Sequence, residues 1–317
     1  MKISLITPAK KHSKNGNRAS ALRWAGFLRD QGHRVRIDVD YTGEPADLMI
    51  ALHAWRSADA ILRYRERFPG GPLIVALGGT DVNTFLKTDP DVTLRSMQMA
   101  DAMVCLHDLI AQELPKRLRN KLHVVRQSAE ALPVRRNPGG RHFDVCVVGR
   151  LREEKDPYRA ALAARLVPEA SKLRVIHFGK AHSEEWAERA RAEMVANPRY
   201  IWKGEVPRWR VRREFVRTRL MVISSNQEGG ANVVSEAVVA GVPVIASDIA
   251  GNIGLLGLDY EGYYPVRDAD ALAVQLHRAE VEDSYLRSLE VQCEKLRSGF
   301  TPAREAAGWK KVIATVT

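Results

Sequence analysis

The sequence is poor in cysteine, and the three that it has, Cys105, Cys146 and Cys293, show no metal-binding or redox spacing. Cys105 and Cys146 stand inside apolar runs, so we expect buried thiols in a reducing cytoplasm. No apolar run approaches the roughly 20 residues of a membrane-spanning helix, and no His or Cys spacing is that of a zinc site. These gaps exclude a disulfide-bonded scaffold and a zinc module, and they predict no membrane span.

Aromatic residues are also few, at 7% of the chain, although the net charge is +11. Such a basic chain can bind nucleic acid, a membrane surface or small anions. The basic residues are scattered, and aromatic residues are not interleaved with them as base stacking would require. Small anionic substrates are therefore favoured, and a salt-sensitive nucleic-acid-binding protein is the non-enzymatic alternative.

Short apolar strands alternate with amphipathic helices in both halves of the chain, which predicts parallel sheets covered by helices on both faces. Pro138, Gly139 and Gly140 interrupt the alternation and mark a boundary. We expect an α/β fold with Rossmann-like domains at 1–137 and 138–300, followed by a last helix at 301–317. The predicted strands lie near 2–7, 34–39, 48–52, 73–77, 102–106, 122–125, 143–148, 173–178, 200–202, 220–224, 242–246 and 262–266.

The most informative segment has a glutamate at each end, Glu228 and Glu236. Gly229 and Gly230 allow a tight turn after an apolar strand, and the N–H groups of the helix that follows can hold a phosphate. Glu228 would then lie near the sugar of a nucleotide sugar, and Glu236 near the ribose hydroxyls. The alternative is two solvated glutamates beside an ordinary helix. The candidate nucleotide-sugar-binding residues are Gly149, Gly229, Gly230, Ala231, Asn232 and Glu236.

A second cationic segment follows the strand at 143–148. Gly149 lets the chain leave the strand tightly, Arg150 offers a two-pronged guanidinium, and Lys155 adds a point charge. Fixed cations of this kind stabilise the negative charge that develops on a leaving phosphate. The alternative is a solvated loop in which the cations pair with Glu153 and Glu154.

The loop after the first strand, residues 7–18, holds three lysines, a histidine and an arginine. Gly16 and Asn17 can offer backbone N–H groups, and Asn17 can cap the following helix. We expect Lys14, Gly16, Asn17 and Arg18 to bind a compact anion, the alternative being a solvated loop.

These motifs together resemble the retaining glycosyltransferases of family 4, which have the two-domain GT-B fold. The resemblance implies two parallel sheets facing a central cleft, with the acceptor in the first domain and the nucleotide sugar in the second. It gives Arg150, Lys155 and Glu228 the catalytic roles. It also implies that the final helix crosses back to the first domain, where we expect Trp309 to anchor it.

One histidine that many members of the family have is absent from this chain. Many members read His-Gly-Thr-Asp after the fourth strand, and this chain has Gly78 where the histidine stands. Thr80 and Asp81 remain as acceptor-binding candidates, joined by His53, which ends the third strand; His53 and His107 are alternatively packed histidines. An alcohol must lose a proton as it attacks. The missing histidine therefore predicts an acceptor that is already ionised.

The whole chain resembles the selenosugar synthases of selenoneine biosynthesis. The resemblance implies that UDP-N-acetylglucosamine or UDP-glucose reacts with selenophosphate, forming a C–Se bond and releasing UDP and phosphate. The alternatives are an ordinary retaining hexosyltransferase acting on a phosphorylated alcohol or lipid, and a nucleotide-sugar epimerase. The segments that carry the likeness are 2–9, 15–19, 77–82, 228–237 and 251–257.

The Asp-x-Asp of metal-dependent glycosyltransferases occurs at Asp38 and Asp40, far in sequence from the nucleotide motifs, and we interpret it as coincidence. Because cationic side chains already serve the diphosphate, we expect metal-independent chemistry with no cofactor beyond the UDP-sugar substrate. Retention or inversion at the anomeric carbon and the oligomeric state stay open.

Overall fold

A computed structural model describes residues 1–13 and 16–317. The chain divides into two compact units. Unit 1 comprises Met1–Gln127 together with Pro302–Thr317, and unit 2 comprises Ser128–Thr301. Among the described residues, no helix has the length and apolar character needed to cross a bilayer.

Unit 1 contains one parallel sheet of six strands in the order β2-β1-β3-β4-β5-β6. Its apolar side chains form two buried clusters, of which one includes the fully buried Trp24 and Trp309. A short π-helical turn at Asp81–Phe85 follows β4. The strands are β1 (Lys2–Ile6), β2 (Arg34–Asp38), β3 (Leu48–Leu52), β4 (Leu73–Ala76), β5 (Ala102–Cys105) and β6 (Leu122–Val124). The helices are α1 (Gly16–Asp30), α2 (Ala58–Arg67), α3 (Leu86–Thr88), α4 (Pro90–Met99) and α5 (Ile110–Glu113).

Unit 2 contains a second parallel six-stranded sheet, in the order β12-β11-β10-β7-β8-β9, with one large apolar core. Gly241, with φ of +73°, ends the helix after β10 as its sequence position predicts. The strands are β7 (Phe143–Val148), β8 (Leu173–Phe178), β9 (Tyr200–Trp202), β10 (Leu220–Ile223), β11 (Val244–Ser247) and β12 (Tyr263–Tyr264). The helices are α6 (Arg159–Leu166), α7 (Glu184–Ala196), α8 (Arg208–Arg217), α9 (Asn232–Val239), α10 (Ala250–Leu256), α11 (Ala269–Val281) and α12 (Asp283–Arg297).

The last helix, α13 (Pro302–Ala314), belongs to unit 1 and packs on α1. Its Trp309 lies against Trp24, with 4.7 Å between the ring centroids. Glu305 is buried and accepts hydrogen bonds from Trp24 Nε1 at 2.8 Å and from Arg23 Nε at 2.9 Å. The prediction that the final helix returns to the first half of the chain, anchored by Trp309, is therefore confirmed.

The predicted α/β fold with two parallel sheets is confirmed, and every predicted strand is present with ends shifted by no more than two residues. In both sheets the strand order reverses at one point. In unit 1 that point lies between β1 and β3, and in unit 2 between β7 and β10. Ligands of open parallel sheets bind beyond the carboxyl ends of the strands at such a reversal.

Candidate functional site

The loops after β7 and β10 meet at the reversal point of unit 2. The first loop begins at Gly149, and the second, residues 224–231, contains Glu228. Gly149, Arg150, Lys155 and Glu228 line one pocket, which also includes Val233 of α9. The structure thus brings together four of the residues that the sequence assigns to the donor.

The backbone at Gly149 is fixed by a close contact with β8 and a buried histidine. A Cβ added to Gly179 would lie 1.7 Å from the Gly149 carbonyl oxygen, so only glycine fits there. His177 places Nε2 3.0 Å from that same carbonyl oxygen and Nδ1 2.9 Å from the Tyr200 hydroxyl. Burial lowers the pKa of His177 to about 4, so the ring is neutral. Arg150 therefore leaves a rigid strand end, and its own side chain is exposed.

Hydrogen bonds from Ser224 and Asn226 hold the segment around Lys155 beside the loop after β10. The Ser224 hydroxyl donates to the carbonyl oxygens of Lys155 at 3.2 Å and Asp156 at 2.9 Å. The Asn226 N–H donates to the Glu154 carbonyl oxygen at 2.9 Å. Asp156 itself has φ of +41°, which turns the chain into α6. The ammonium group of Lys155 is consequently directed at Glu228.

Glu228 sits at the end of a chain of buried polar contacts. It forms an ion pair with Lys155 and accepts a hydrogen bond of 2.6 Å from the Ser225 hydroxyl. The Ser247 hydroxyl donates to the Ser225 carbonyl oxygen at 2.6 Å, and Asn252 Nδ2 lies 3.1 Å from the Ser247 hydroxyl oxygen. Side chains held in this way keep their geometry when a ligand arrives. Sequence reasoning missed Ser225 and Ser247, although Ser225 is the second residue after β10 and Ser247 is the last residue of β11.

The start of α10 packs directly on the Glu228 backbone. A Cβ on Gly251 would lie 2.3 Å from the Glu228 carbonyl oxygen, a distance that no side chain tolerates. The backbone N–H groups of Asn252 and Ile253 both donate to the Ile249 carbonyl oxygen at 2.9 Å, so they are used within the first turn of α10.

The start of α9 carries the remaining donor residues. Gly230 has φ of +113°, which confirms the tight turn that Gly229 and Gly230 predict. Ala231 occupies the N-cap position without a side-chain hydrogen bond to the helix, and Asn232 is the first helical residue. The first turn of this helix therefore lies beside the pocket, which Val233 of α9 lines, and its first N–H groups lack partners within the helix.

Glu236 lies farther along α9 and has a partner that the sequence did not suggest. Nη2 of Arg208, the first residue of α8, lies 3.0 Å from Glu236 Oε1. The arginine side chain is 56% exposed and the glutamate side chain 19% exposed. The carboxylate predicted to bind ribose is thus already held by a cation that reaches it from the solvent side.

The acceptor candidates lie in unit 1, after β1, β3 and β4. Lys14 falls outside the described residues. Gly16 and Asn17 begin α1, and Arg18 is largely buried in its first turn. These residues follow β1, which pairs with β3 at the reversal point of the sheet.

His53, Thr80 and Asp81 form one hydrogen-bonded group. His53 Nδ1 lies 2.5 Å from Asp81 Oδ1, and its Nε2 lies 2.6 Å from the Thr80 hydroxyl oxygen. Asp81 is fully buried and also accepts from the N–H groups of Ala54, Trp55 and Gly78 at 2.8, 2.9 and 2.7 Å. Three residues from two strand ends thus converge.

His107 differs from His53. It is buried, and burial lowers its pKa to about 4. Within the described part of the chain, neither ring nitrogen has a hydrogen-bond partner. We therefore interpret His107 as a packed, neutral histidine.

Comparison with known proteins places the chain in a family. Residues 130–292 match the model of the family described as glycosyl transferases group 1. The chain therefore belongs to the group 1 glycosyl transferases, and the prediction of a glycosyltransferase is confirmed. The chain is similar to the putative teichuronic acid biosynthesis glycosyltransferase TuaC of Bacillus subtilis, with 30% identity over 171 residues. That match spans 54% of this chain and 41% of the relative's length.

Solved structures extend the likeness to nearly the whole chain. HepE of Anabaena, in complex with UDP, superposes with a TM-score of 0.80 at 13% identity, covering 99% of this chain and all of HepE (100%). Sucrose-phosphate synthase of Thermosynechococcus elongatus has a TM-score of 0.78 at 15% identity, covering 99% of this chain and 98% of the synthase. At these identities the likeness shows the fold, which is that of GT-B glycosyltransferases.

Proposed function

We propose that this glycosyltransferase transfers a hexose from a UDP-sugar, UDP-N-acetylglucosamine or UDP-glucose, to selenophosphate. The observation that carries the donor half is the pocket in which Arg150, Lys155 and Glu228 converge beside the first turn of α9. It combines two cations for a diphosphate with a carboxylate that can accept hydrogen bonds from sugar hydroxyls. HepE, a structural neighbour, carries UDP, which supports uracil as the base of the donor.

In this proposal, Arg150 and Lys155 act on the leaving group. As the bond between the anomeric carbon and the phosphate oxygen breaks, negative charge collects on UDP, and both cations stabilise it. Lys155 is aligned by Glu228, so the ammonium group needs little reorganisation at that moment. We expect this pair of cations to serve without a metal ion, so activity should persist in excess chelator.

The acceptor half rests on the basic loop after β1 and on the resemblance of the whole chain to selenosugar synthases. Selenium of selenophosphate attacks the anomeric carbon, and UDP leaves with the electron pair of the broken C–O bond. Water then takes the phosphoryl group from selenium, which yields the selenosugar and phosphate. We assign Gly16, Asn17 and Arg18 to the acceptor, together with Lys14. The free, buried cysteines fit a reducing cytoplasm, where a selenide-level substrate survives.

The test is to incubate the purified protein with each UDP-sugar and selenophosphate, with thiophosphate in a parallel arm, and to follow UDP and the sugar product by mass spectrometry. A selenium- or sulfur-containing sugar is the expected product. UDP release only with a phosphorylated alcohol would overturn the selenophosphate assignment. Product without any acceptor would indicate an epimerase.

A second candidate is a hexosyltransferase acting on a phosphorylated alcohol or lipid. One observation favours it. An alcohol acceptor needs a general base, which the glycine at position 78 cannot provide, and His53, held by Asp81, can serve as that base. The two candidate functions share the donor pocket and differ only in the acceptor that the residues of unit 1 would bind.

A further inference from the structure

His53 fills the space that a side chain at position 78 would occupy. A Cβ added to Gly78 would lie 2.7 Å from His53 Cδ2 and 3.1 Å from His53 Nε2. The two positions are neighbours because β3 and β4 are parallel and pair Leu52 with Ala76. A histidine from the adjacent strand therefore stands at the end of β4, and glycine at 78 is the residue that makes room for it.

The backbone of His53 is in an unusual conformation that its contacts maintain. Its φ is +83°, in the region that favours glycine. Such a conformation is strained and persists only where its surroundings hold it. Here the buried Asp81 holds it, binding the ring at Nδ1 and the N–H groups of the next two residues, Ala54 and Trp55. A strained backbone conformation that a buried carboxylate maintains is typical of a residue in an active site.

The hydrogen bonds define which nitrogen of His53 carries the proton. Asp81 accepts hydrogen bonds from three backbone N–H groups, so it is an acceptor, and Nδ1 of His53, 2.5 Å from its Oδ1, donates to it. The Arg56 N–H also points at Nδ1, but at 3.3 Å, and the much shorter contact with the carboxylate decides the tautomer. Nε2 then presents a lone pair to the Thr80 hydroxyl at 2.6 Å and to Arg56 Nε at 3.3 Å. Asp81 and Arg56 are the charged groups that face the ring in the described part of the chain.

Access to this group runs through Thr80 and Arg56. His53 is only 2% exposed, whereas Thr80 is half-buried and Arg56 is exposed. The Thr80 hydroxyl gives its proton to His53 and keeps lone pairs that point elsewhere. Within the described part of the chain, the threonine oxygen thus offers a substrate a route to the histidine, and an anionic group can reach Arg56 beside it.

We propose that Asp81, His53 and Thr80 form a proton relay for an acceptor that arrives with a proton on its nucleophilic atom and carries an anionic group. The acceptor's proton passes to the Thr80 oxygen, and the Thr80 proton passes to His53 Nε2. The acceptor forms its bond to the anomeric carbon as the bond to UDP breaks, and the imidazolium later releases its proton to water. Thr80 touches the acceptor, and His53 and Asp81 are positioning and proton-holding residues. The inference rests on the proposed sugar transfer and replaces the expectation of a pre-ionised acceptor.

The experiment compares wild type with His53→Asn and His53→Gln. Asparagine tolerates a positive φ, and glutamine reaches toward Thr80, but neither takes up a proton at neutral pH. UDP release with selenophosphate is measured from acidic to alkaline pH. We expect kcat to fall by about 100-fold, as for loss of a general base, with KM for the donor unchanged. The deficit should shrink as the pH rises and the acceptor ionises by itself.

His123→Ala is the control, because this histidine lies on β6 of the same unit, outside both sites. A His53→Asn variant with wild-type kcat and pH profile would overturn the relay while leaving sugar transfer intact. If the wild type released no UDP with selenophosphate, the proposed function would fail instead. The relay is then judged without an acceptor substrate, by the ¹⁵N NMR signals of His53. A proton on Nδ1 supports it, and a proton on Nε2 overturns it.

Discussion

Arg208 and Glu236 form an ion pair across two helices of unit 2, with 3.0 Å between Nη2 and Oε1. The pair is partly exposed, so its effect on folding should be below about 1 kcal/mol. We propose that the pair matters for the donor, because the arginine orients the carboxylate that we predict to bind the ribose hydroxyls.

Glu236→Ala should weaken UDP binding by about 10- to 100-fold, the loss expected for hydrogen bonds to a charged group. Arg208→Ala should weaken it less, since the carboxylate remains but loses its orientation. Isothermal titration calorimetry with UDP measures both. The exposed ion pair between Arg278 of α11 and Glu282, the residue directly after that helix, offers the matched control, Glu282→Ala. Equal UDP affinity in Glu236→Ala and wild type would contradict the ribose assignment.

Lys155→Ala should lower kcat by about 100- to 1,000-fold, the effect of removing one donor that stabilises developing charge. Glu228→Gln should act on the same step, because it removes the carboxylate that aligns the ammonium group. The double variant should lose less than the sum of the two free energies, since the residues are in direct contact. Steady-state kinetics of the three variants form the cycle, and strictly additive losses would show that the ion pair has no catalytic role.

Gly251→Ala tests the packing under Glu228. The added methyl carbon would lie 2.3 Å from the Glu228 carbonyl oxygen, so α10 or the loop must move. We expect a loss of about 1–3 kcal/mol in the free energy of unfolding, as for an overpacked site, together with lower activity. Gly26→Ala is the control, because nothing lies within 4 Å of its added Cβ and it stands inside α1. It should be neutral or slightly stabilising. Similar unfolding curves for both variants would refute this packing.

His107→Leu should raise stability, most clearly at acidic pH. Burial lowers the pKa of His107 from 6.5 to about 4, so the unfolded chain binds more protons than the folded chain between those values. The free energy of unfolding therefore decreases as the pH falls through this window, by up to about 1.4 kcal/mol per pH unit for one group. Leucine removes the effect, and part of the pH dependence should remain because His177 has the same lowered pKa.

Urea unfolding at neutral and mildly acidic pH measures the difference between wild type and His107→Leu. Sugar-transfer activity should be preserved, because His107 takes no part in either site. A variant whose stability has the same pH dependence as the wild type would show that His107 is not neutral in the folded protein.

The strands and the donor pocket could be predicted from the sequence for a physical reason. Parallel strands buried on both faces are short apolar runs, and the residues directly after these runs lie at one edge of the sheet. Gly149 with Arg150 and Glu228 with Gly229 come after two such runs, so their meeting could be predicted. No local sequence pattern predicts the contact of Arg208 with Glu236, because the whole of β10 lies between the two residues in sequence.

The position of His53 beside Gly78 could not be predicted from the sequence. The glycine at position 78 is visible in the sequence as an absence, yet the group that fills its space comes from another strand. The positive φ of His53 has no signature in the sequence, because glycine or asparagine is the residue that usually marks one. Only the strand register and the buried Asp81 contact disclose it.

Because α13 completes unit 1, the order of synthesis matters for folding. Trp24 emerges from the ribosome early, but its partner Trp309 follows only after all of unit 2. At a synthesis rate of about 5–20 residues per second, the apolar surface of α1 stays exposed for on the order of ten seconds or longer before α13 is made. Unit 2 is continuous and can finish first, so the half of the chain made first is the last to close.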